Sequence, residues 1–310
     1  MPTSPYLLLI LAALFWGGNF ALGKAVSEII PPISLSYLRW AIALIIMIPL
    51  CWSELKQHKN ALLANWPLFS ILGTTGVMGF NICVYLSLQY TSAINASLIT
   101  SFSPAFVALI SMIFIKELLS PKQWSGIALS FLGAVILIFK GNWQNLISLT
   151  FNKGDLIMLL AVFFWGIYSL FLKIRGAVLP SKSLLAASIF MGLVIAFPLA
   201  AYETVLVGPN WIYNLSAFHY ASLGYFGVFP TILAFLFFNK AMLEVGPSRA
   251  TVYLSLIPVF ASLLGILFLN ESLTLYHLAG GALIITGIFL TSQKTMINKT
   301  SENPQSITQE

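Results

Sequence analysis

The sequence has few charged residues. Asp, Glu, Lys and Arg make up 8% of its 310 residues, whereas 59% are hydrophobic. Because a soluble domain carries roughly 25% charged residues, this composition excludes a soluble globular fold. It also excludes intrinsic disorder, which requires low hydrophobicity. The two cysteines, Cys51 and Cys83, lie in hydrophobic runs and exclude a secreted disulfide framework.

The sequence also lacks the motifs of ATP-driven and catalytic membrane proteins. It has no G-x-x-x-x-G-K-[ST] loop, no H-E-x-x-H motif and no pair of aspartates inside a hydrophobic run. All nine acidic residues lie at span ends, in loops or in the tail, whereas proton-coupled carriers usually keep a titratable group at membrane depth. We therefore expect no enzymatic activity, no cofactor, no bound metal and, at most, weak proton coupling.

Long hydrophobic runs are abundant. A helix crosses the hydrocarbon core in about 20 residues, and turn residues such as Pro31-Pro32 separate the runs. We predict an all-α polytopic membrane protein with ten transmembrane helices. The predicted spans are Tyr6–Ala25, Ile33–Trp52, Trp66–Leu88, Ala93–Ile115, Lys122–Phe139, Asp155–Ile174, Ser183–Ala201, Ala217–Asn239, Ser248–Leu269 and Leu275–Thr291.

The basic residues predict the orientation of these spans, because cytoplasmic loops are enriched in Lys and Arg. With the N-terminus inside, three basic residues fall outside, Arg39 lies within a span, and both termini are cytoplasmic. The basic residues are scattered singly, which argues against nucleic-acid binding. The inner residues are Lys56, Lys59, Lys116, Lys122, Lys173, Arg175, Lys182, Lys240, Arg249, Lys294 and Lys299.

The second half of the sequence repeats the first. Phe15-Trp16-Gly17 recurs as Phe164-Trp165-Gly166 at an offset of 149 residues. Further along, the offset becomes 154, and residues of the same type again match in order. The pairs at this second offset are Pro104 and Pro258, Phe106 and Phe260, Phe114 and Phe268, Glu117 and Glu271, Gly126 and Gly280, and Gly133 and Gly287.

Each half contains five predicted spans, and five is an odd number. The second copy must therefore enter the membrane with the opposite orientation to the first. Inverted repeats of this kind are a recurring plan of secondary transporters. Two similar units related by an axis in the membrane plane give one chain two similar packings, one open to each side.

Each half also carries the same series of short motifs. In the first half they are Ala13-Leu14-Phe15-Trp16-Gly17-Gly18-Asn19-Phe20, Tyr37-Leu38-Arg39, Ser103-Pro104-Ala105-Phe106, Lys116-Glu117, Gly126 and Gly133. In the second half they include Ile257-Pro258-Val259-Phe260, Asn270-Glu271 and Gly280-Gly281.

Together these motifs resemble two EamA repeats of the drug/metabolite transporter superfamily. The resemblance covers nearly the whole chain, with repeats at 6–140 and 154–292 and a cytoplasmic polar tail at 293–310. It implies a ten-helix carrier of the inner (cytoplasmic) membrane, often an exporter of amino acids or related metabolites. The second repeat departs from the first, since Ser188 stands where Arg39 stands and Tyr168 where Asn19 stands. We therefore expect an asymmetric site.

Polar and aromatic residues at mid-span are the candidate substrate-binding residues. Polar groups at membrane depth are costly unless they face a cavity or a partner, and Trp usually concentrates at the membrane interface. As a set they predict a central cavity with aromatic walls and amide groups, whereas helix packing is the alternative for each alone. The candidates are Trp16, Asn19, Arg39, Asn81, Tyr85, Asn95, Trp165, Tyr168, Asn239 and Tyr253.

Arg39 is the one charge well inside a predicted span. It could bind a substrate carboxylate, or it could pair structurally with a helix C-terminus or an acid such as Glu28. The sequence leaves both roles open.

Two further groups have structural roles in this prediction. Prolines within spans kink their helices and provide points of bending. Carboxylates at span ends hold the free amides of the next helix. The prolines are Pro49, Pro104, Pro198, Pro230 and Pro258, and the carboxylates are Glu117 and Glu271.

The sequence thus predicts a secondary transporter, an exporter of amino acids or related small metabolites that works by alternating access. The alternatives are an importer or exchanger of a vitamin or nucleoside-like metabolite, such as riboflavin or S-adenosylmethionine, and a drug efflux carrier. A channel or an intramembrane enzyme is remote. The expected partners are a small-molecule substrate and the lipid bilayer, and the expected oligomeric state is a monomer or homodimer.

Overall fold

The computed structural model describes residues 4–91, 96, 99–139, 144, 152–268 and 274–293. These residues form helices joined by short turns, with no strand among them. Asn95, Glu271 and the tail after Gln293 lie outside the described residues. The main helices of the first half are α1 (Pro5–Ser27), α2 (Pro32–Gln57), α3 (Trp66–Ser87), α4 (Ser103–Ile115) and α5 (Pro121–Ile138), and a short helix, Lys59–Ala64, lies between α2 and α3. Those of the second half are α6 (Lys153–Arg175), α7 (Ser181–Val207), α8 (Ala217–Val245), α9 (247–268) and α10 (Leu275–Ser292).

The helices are long and hydrophobic. Within the described residues, eight are long and apolar enough to cross a membrane. Two shorter apolar stretches, Pro5–Asn19 and Ile99–Ile115, lie where the first and fourth spans are predicted. The chain is therefore a multi-pass, all-helical membrane protein, and the total of ten spans stays a prediction.

Helices α3 and α8 each contain a seven-residue π-helical segment, Gly73–Gly79 and Gly227–Leu233. The two segments begin 154 residues apart, the offset that relates the halves of the sequence. In α8, Pro230 lacks an N–H and cannot continue the α-helical hydrogen bonds. In α3, the side-chain amide of Asn81 donates to the carbonyl of Val77 at 2.8 Å, and thus to the π segment itself.

The other four span prolines differ in what they do to their helices. Near Pro49, α2 leaves helical geometry at Cys51 (φ −120°, ψ 15°), whereas α7 continues through Pro198. Pro104 lies in the first turn of α4, rather than at a kink within it. Pro258 likewise follows the start of the last segment of α9, which consists of Pro247–Val252, a 3₁₀ turn at Tyr253–Ser255 and Leu256–Phe268.

Helices α5 and α10 cross at four glycines. A Cβ atom at Gly126 would lie 2.6 Å from the carbonyl oxygen of Gly287, and one at Gly133 would lie 2.6 Å from that of Gly280. Because real Cβ atoms do not approach so closely, only glycine allows this backbone contact. The contacts are reciprocal under the repeat. Gly126 meets Gly287, which is the repeat equivalent of Gly133, and Gly133 meets Gly280, which is the repeat equivalent of Gly126.

Helices α2 and α7 are joined by serine and glutamate at both ends. Glu203 of α7 accepts hydrogen bonds from the backbone N–H of Ile33 (3.0 Å) and from the backbone N–H (2.6 Å) and hydroxyl (2.8 Å) of Ser34. At the opposite end of the pair, the hydroxyl of Ser183 donates to Glu54 at 3.0 Å. Ser34 and Ser183 are 149 residues apart, as are Glu54 and Glu203. The two contacts are therefore equivalent under the sequence repeat.

Glu117 lies at the end of α4, but it does not hold the first turn of α5. That turn is closed by a capping box between Ser120 and Gln123. Glu117 instead accepts a hydrogen bond from the hydroxyl of Ser248 at the start of α9 (2.9 Å). A carboxylate beside the start of α9 also interacts favourably with the positive end of that helix's dipole.

Candidate functional site

A small cavity lies between the two halves of the chain. Its volume is about 40 Å³, enough for a few water molecules and far below the roughly 300 Å³ of a typical small-molecule site. The cavity is therefore too small in this structure to hold a small-molecule solute. The lining residues are Trp16, Asn19, Arg39, Phe80, Asn81, Val84, Thr100, Ser103, Trp165, Phe235, Leu254 and Ile257.

Arg39 of α2 is the charged group of this cavity and is 1% exposed. Its Nε and Nη2 atoms donate to the hydroxyl of Thr231 at 3.0 and 2.8 Å. Its Nη1 atom donates to the side-chain oxygen of Asn19 at 3.1 Å and to the hydroxyl of Tyr85 at 2.8 Å. All of these acceptors are neutral. They come from α1, α3 and the π segment of α8, so the guanidinium joins both halves of the protein.

No described carboxylate pairs with Arg39. Glu28, a possible partner by sequence, is exposed at the end of α1 and does not contact the guanidinium. The charge is instead flanked by rings, with the guanidinium carbon 5.7 Å from the centre of Trp40 and 5.9 Å from that of Phe226. Among the described residues, the positive charge of Arg39 therefore has no negative charge beside it, which is costly for a buried group.

Aromatic rings form the apolar part of the wall. The rings of Trp16 and Trp165 meet edge to face with centres 5.7 Å apart, and Phe235 packs against both at 5.6 and 6.0 Å. Phe80 lies 5.1 Å from Trp165. The indole N–H of Trp16 donates to the carbonyl of Pro230 at 2.9 Å. That bond fixes Trp16 against the π segment of α8.

Two polar groups of the wall have no partner among the described residues. The indole N–H of Trp165 and the hydroxyl of Ser103 are both buried and both unbonded, although both residues line the cavity. A buried donor left without an acceptor costs about 1–3 kcal/mol. Both groups would gain an interaction if a solute or water reached them.

Tyr85 and Asn19 form one of two equivalent hydrogen bonds. The Tyr85 hydroxyl donates to Asn19 at 3.3 Å, and that of Tyr168 donates to Asn239 at 2.7 Å. Asn19 and Tyr168 are 149 residues apart, and Tyr85 and Asn239 are 154 apart. The same buried pair thus occurs in each half with its two residue types exchanged. Only the first pair contacts an arginine.

Most, but not all, of the described candidate residues lie at or beside the cavity. Trp16, Asn19, Arg39, Asn81 and Trp165 line the cavity, Tyr85 contacts it through Arg39, and Tyr168 and Asn239 pack beside it.

Tyr253 lies apart, in a groove between α1, α9 and α10, where it stacks on Tyr6 at 6.0 Å and hydrogen-bonds Ser292. Ser188, which replaces Arg39 in the second half, bonds the carbonyl of Leu184 in its own helix.

Sequence analysis missed several residues of the site. Thr231 accepts two bonds from Arg39, and Ser103 lines the cavity, but serine and threonine within helices usually bond the preceding turn and give no depth signal. Phe80 and Phe235 are ordinary hydrophobic residues by sequence. The proline before Thr231 was the available signal, because it marks a break in the helix.

Residues 3–139 and 152–293 each match the model of the EamA-like transporter family. The chain belongs to the EamA-like transporter family. The family indicated by the sequence motifs is therefore confirmed, and membership makes this chain a membrane transporter. The two matched ranges fall on the two halves whose helices have been described.

Similar proteins with full-length coverage support this assignment. The uncharacterized transporter YyaM of Bacillus subtilis is 24% identical over 97% of this chain and 97% of its own length. An uncharacterized transporter of Archaeoglobus fulgidus is 26% identical over 95% of this chain and 99% of its own. A solved crystal structure superposes with a TM-score of 0.75 at 20% identity, covering 94% of this chain and 98% of the other. That likeness shows a shared fold.

Proposed function

We propose that this EamA-family chain is a secondary transporter that exports amino acids or related small metabolites by alternating access. The two halves are inverted repeats of five helices each, and the substrate binds between them in the cavity lined by Arg39, Trp16 and Trp165. The protein lies in the cytoplasmic membrane with both termini inside. The observation that carries the proposal is a cavity, part aromatic and part polar, lined by residues of two similar halves.

Reciprocal contacts support the inverted repeat. When two copies are related by a two-fold axis, residue i of one meets residue j of the other, and j meets i. The glycines of α5 and α10 meet in this manner. So do the serine and glutamate at the two ends of α2 and α7. A two-fold axis in the membrane plane accounts for contacts at opposite ends of one helix pair.

The acidic residues support facilitated diffusion or exchange. Among the described acids, Glu54, Glu203, Glu117 and Asp155 all bond residues near helix ends. No described carboxylate lines the cavity. A proton-coupled carrier would need a titratable group there. Uptake into proteoliposomes against a gradient only when a pH difference is imposed would contradict this mechanism.

A metabolite export profile tests the proposed function. Cells with and without the gene are compared, and each solute that differs is tested in proteoliposomes for saturable exchange. Exporter activity predicts that internal substrate accelerates uptake of the labelled solute from the other side. A channel would show no such acceleration, and the absence of any exchanged solute would refute the proposal.

Trp165→Phe tests the location of the site. The substitution keeps an aromatic ring but removes the unbonded indole N–H from the cavity wall, so we expect exchange flux to fall about tenfold. Trp66→Phe is the matched control, because Trp66 is 59% exposed on the outer surface of α3. Both variants should purify as folded protein. Equal flux from both would show that the site lies elsewhere.

A further inference from the structure

We propose that the central cavity is an anion site: it recognises the carboxylate of a small organic acid with an apolar or aromatic body, and Arg39 binds that carboxylate. The inference rests on the proposed function and specifies its substrate class. It ranks solutes by charge. A carboxylate without an ammonium group binds best, an amino acid follows, and a cation of the same shape binds least.

The cavity wall contains an excess of hydrogen-bond donors. A guanidinium has five N–H groups, and Arg39 uses four of them on Thr231, Asn19 and Tyr85. The indole N–H of Trp165 and the hydroxyl of Ser103 are buried without a partner among the described residues. A ligand that satisfies the indole N–H and the remaining guanidinium N–H must supply acceptors, and the Ser103 hydroxyl can donate to the same ligand. A carboxylate supplies two oxygens and about four acceptor positions.

The bonds of Arg39 are of a kind that a carboxylate can replace. Hydrogen bonds between a guanidinium and a carboxylate are shorter and roughly twice as strong as those with neutral partners. The acceptors now held by Arg39 are two hydroxyls and an amide, and the hydroxyls of Thr231 and Tyr85 can turn to other partners. A substrate carboxylate would therefore gain affinity at Arg39, and neutral side chains hold the guanidinium when the site is empty.

The wall offers little to a positive group. None of the lining residues is acidic, and the acids described bond residues near helix ends. Besides the rings, an ammonium would meet the amides of Asn19 and Asn81 and the hydroxyls of Thr100 and Ser103, all neutral and all beside a fixed positive charge. The positive charge of Arg39 would repel a cation bound in the same small cavity. The rings of Trp16, Trp165 and Phe235 suit the apolar body of the solute.

The second half explains why one carboxylate is enough. Its equivalent of Arg39 is Ser188, whose hydroxyl bonds its own helix, and its Tyr168–Asn239 pair is complete without an arginine. The positive charge thus belongs to one half. A solute with one charged end and one apolar end fits this asymmetry.

Three probes of the same shape test the charge preference. They are 3-phenylpropionate, phenylalanine and 3-phenylpropylamine, which at neutral pH are an anion, a zwitterion and a cation. Binding to the purified protein is measured by quenching of tryptophan fluorescence. Currents are measured on proteoliposomes adsorbed to a solid-supported membrane. We expect the anion to bind at least about tenfold more tightly than the cation and to give a current of inward negative charge when added outside.

Two substitutions test the role of Arg39 separately from folding. Arg39→Gln should abolish the preference for the anion. Asn19→Asp places a carboxylate where an amide oxygen now lies 3.1 Å from the guanidinium. This internal carboxylate should occupy Arg39 and lower anion binding at least about tenfold while retaining the buried charge and the fold. Ser188→Ala, at the repeat-equivalent position, is the control and should leave binding unchanged.

The results separate the two proposals. Equal binding of the three probes, no response to 3-phenylpropionate, or an Asn19→Asp protein that binds it normally would each overturn the anion site. A solute exchanged without any need for a carboxylate would leave the transporter proposal intact and refute this one. If no solute in the export profile is exchanged, the proposed function itself fails.

Discussion

Single residues decide how the two halves differ. The Tyr–Asn hydrogen bond is present in both halves with its partners exchanged, so the bond has a structural use that does not depend on the orientation of the pair. In the first half, Arg39 donates hydrogen bonds to both residues of the pair, so this pair is part of a charged centre. Similar packing with different chemistry is what a carrier needs to bind an asymmetric solute.

Tyr168→Phe tests the structural role of this bond. The substitution leaves the side-chain oxygen of Asn239 buried without its donor, which costs about 1–3 kcal/mol. We expect the melting temperature of the purified protein to fall, while binding of 3-phenylpropionate is retained. Tyr213→Phe is the control, since that ring is 83% exposed. An unchanged melting temperature would mean that the bond contributes nothing to stability.

The sequence predicted some of the site residues, and the reason is physical. Indoles and amides far from the membrane interface are unusual enough to be noticed, and Trp16, Asn19, Asn81 and Trp165 do line the cavity. Tyr253 is also a polar aromatic residue at mid-span, but it lies against Tyr6 in another groove. Depth along a span is readable from sequence, whereas the face of the helix is not when every face is hydrophobic. Their roles in binding stay predictions.

At the scale of helices, α5 and α10 are held together at their smallest residues, four glycines. The glycines of α5 and α10 bring two backbones into contact, and the sequence repeat had already paired these glycines by position. Gly126 contacts Gly287, and Gly133 contacts Gly280, so the glycine nearer the start of one helix meets the glycine nearer the end of the other. Only an antiparallel crossing allows this arrangement. The π segments of α3 and α8 were not predictable, because proline and glycine in a span indicate a break without indicating its kind.

Gly280→Ala tests the crossing of α5 and α10. The added Cβ atom would lie 2.7 Å from Cγ of Leu137 and 2.8 Å from the carbonyl oxygen of Gly133. Overpacking of this kind costs about 1–3 kcal/mol, so we expect a lower melting temperature. Gly281→Ala is the control, since a Cβ atom there meets nothing within 4 Å. If both variants melt alike, the close approach does not hold these helices together.

At the scale of the whole molecule, α2 and α7 make more hydrogen bonds with each other at one end than at the other. At the end predicted to face outside, Glu203 holds two backbone amides and one hydroxyl at the start of α2. At the inner end, the equivalent Glu54 holds the hydroxyl of Ser183. If α2 and α7 separate at one end in each open state, alternating access breaks one contact at a time. The balance between the two contacts then sets which side opens more readily.

Glu203→Gln and Glu54→Gln should therefore act in opposite directions. Hydrogen bonds to a charged group contribute about 1.5–3 kcal/mol, so neutralising Glu203 should raise the outward-open population about tenfold. The measurement uses a chain in which Cys51 and Cys83 have been replaced and Ser103→Cys places a single thiol in the cavity. A membrane-impermeant thiol reagent is added outside, and the rate at which it labels this thiol is measured. Glu203→Gln should speed labelling, and Glu54→Gln should slow it. Glu28→Gln, a change of an exposed carboxylate at the outer end of α1, is the control. Identical rates in all three would exclude these carboxylates as determinants of opening.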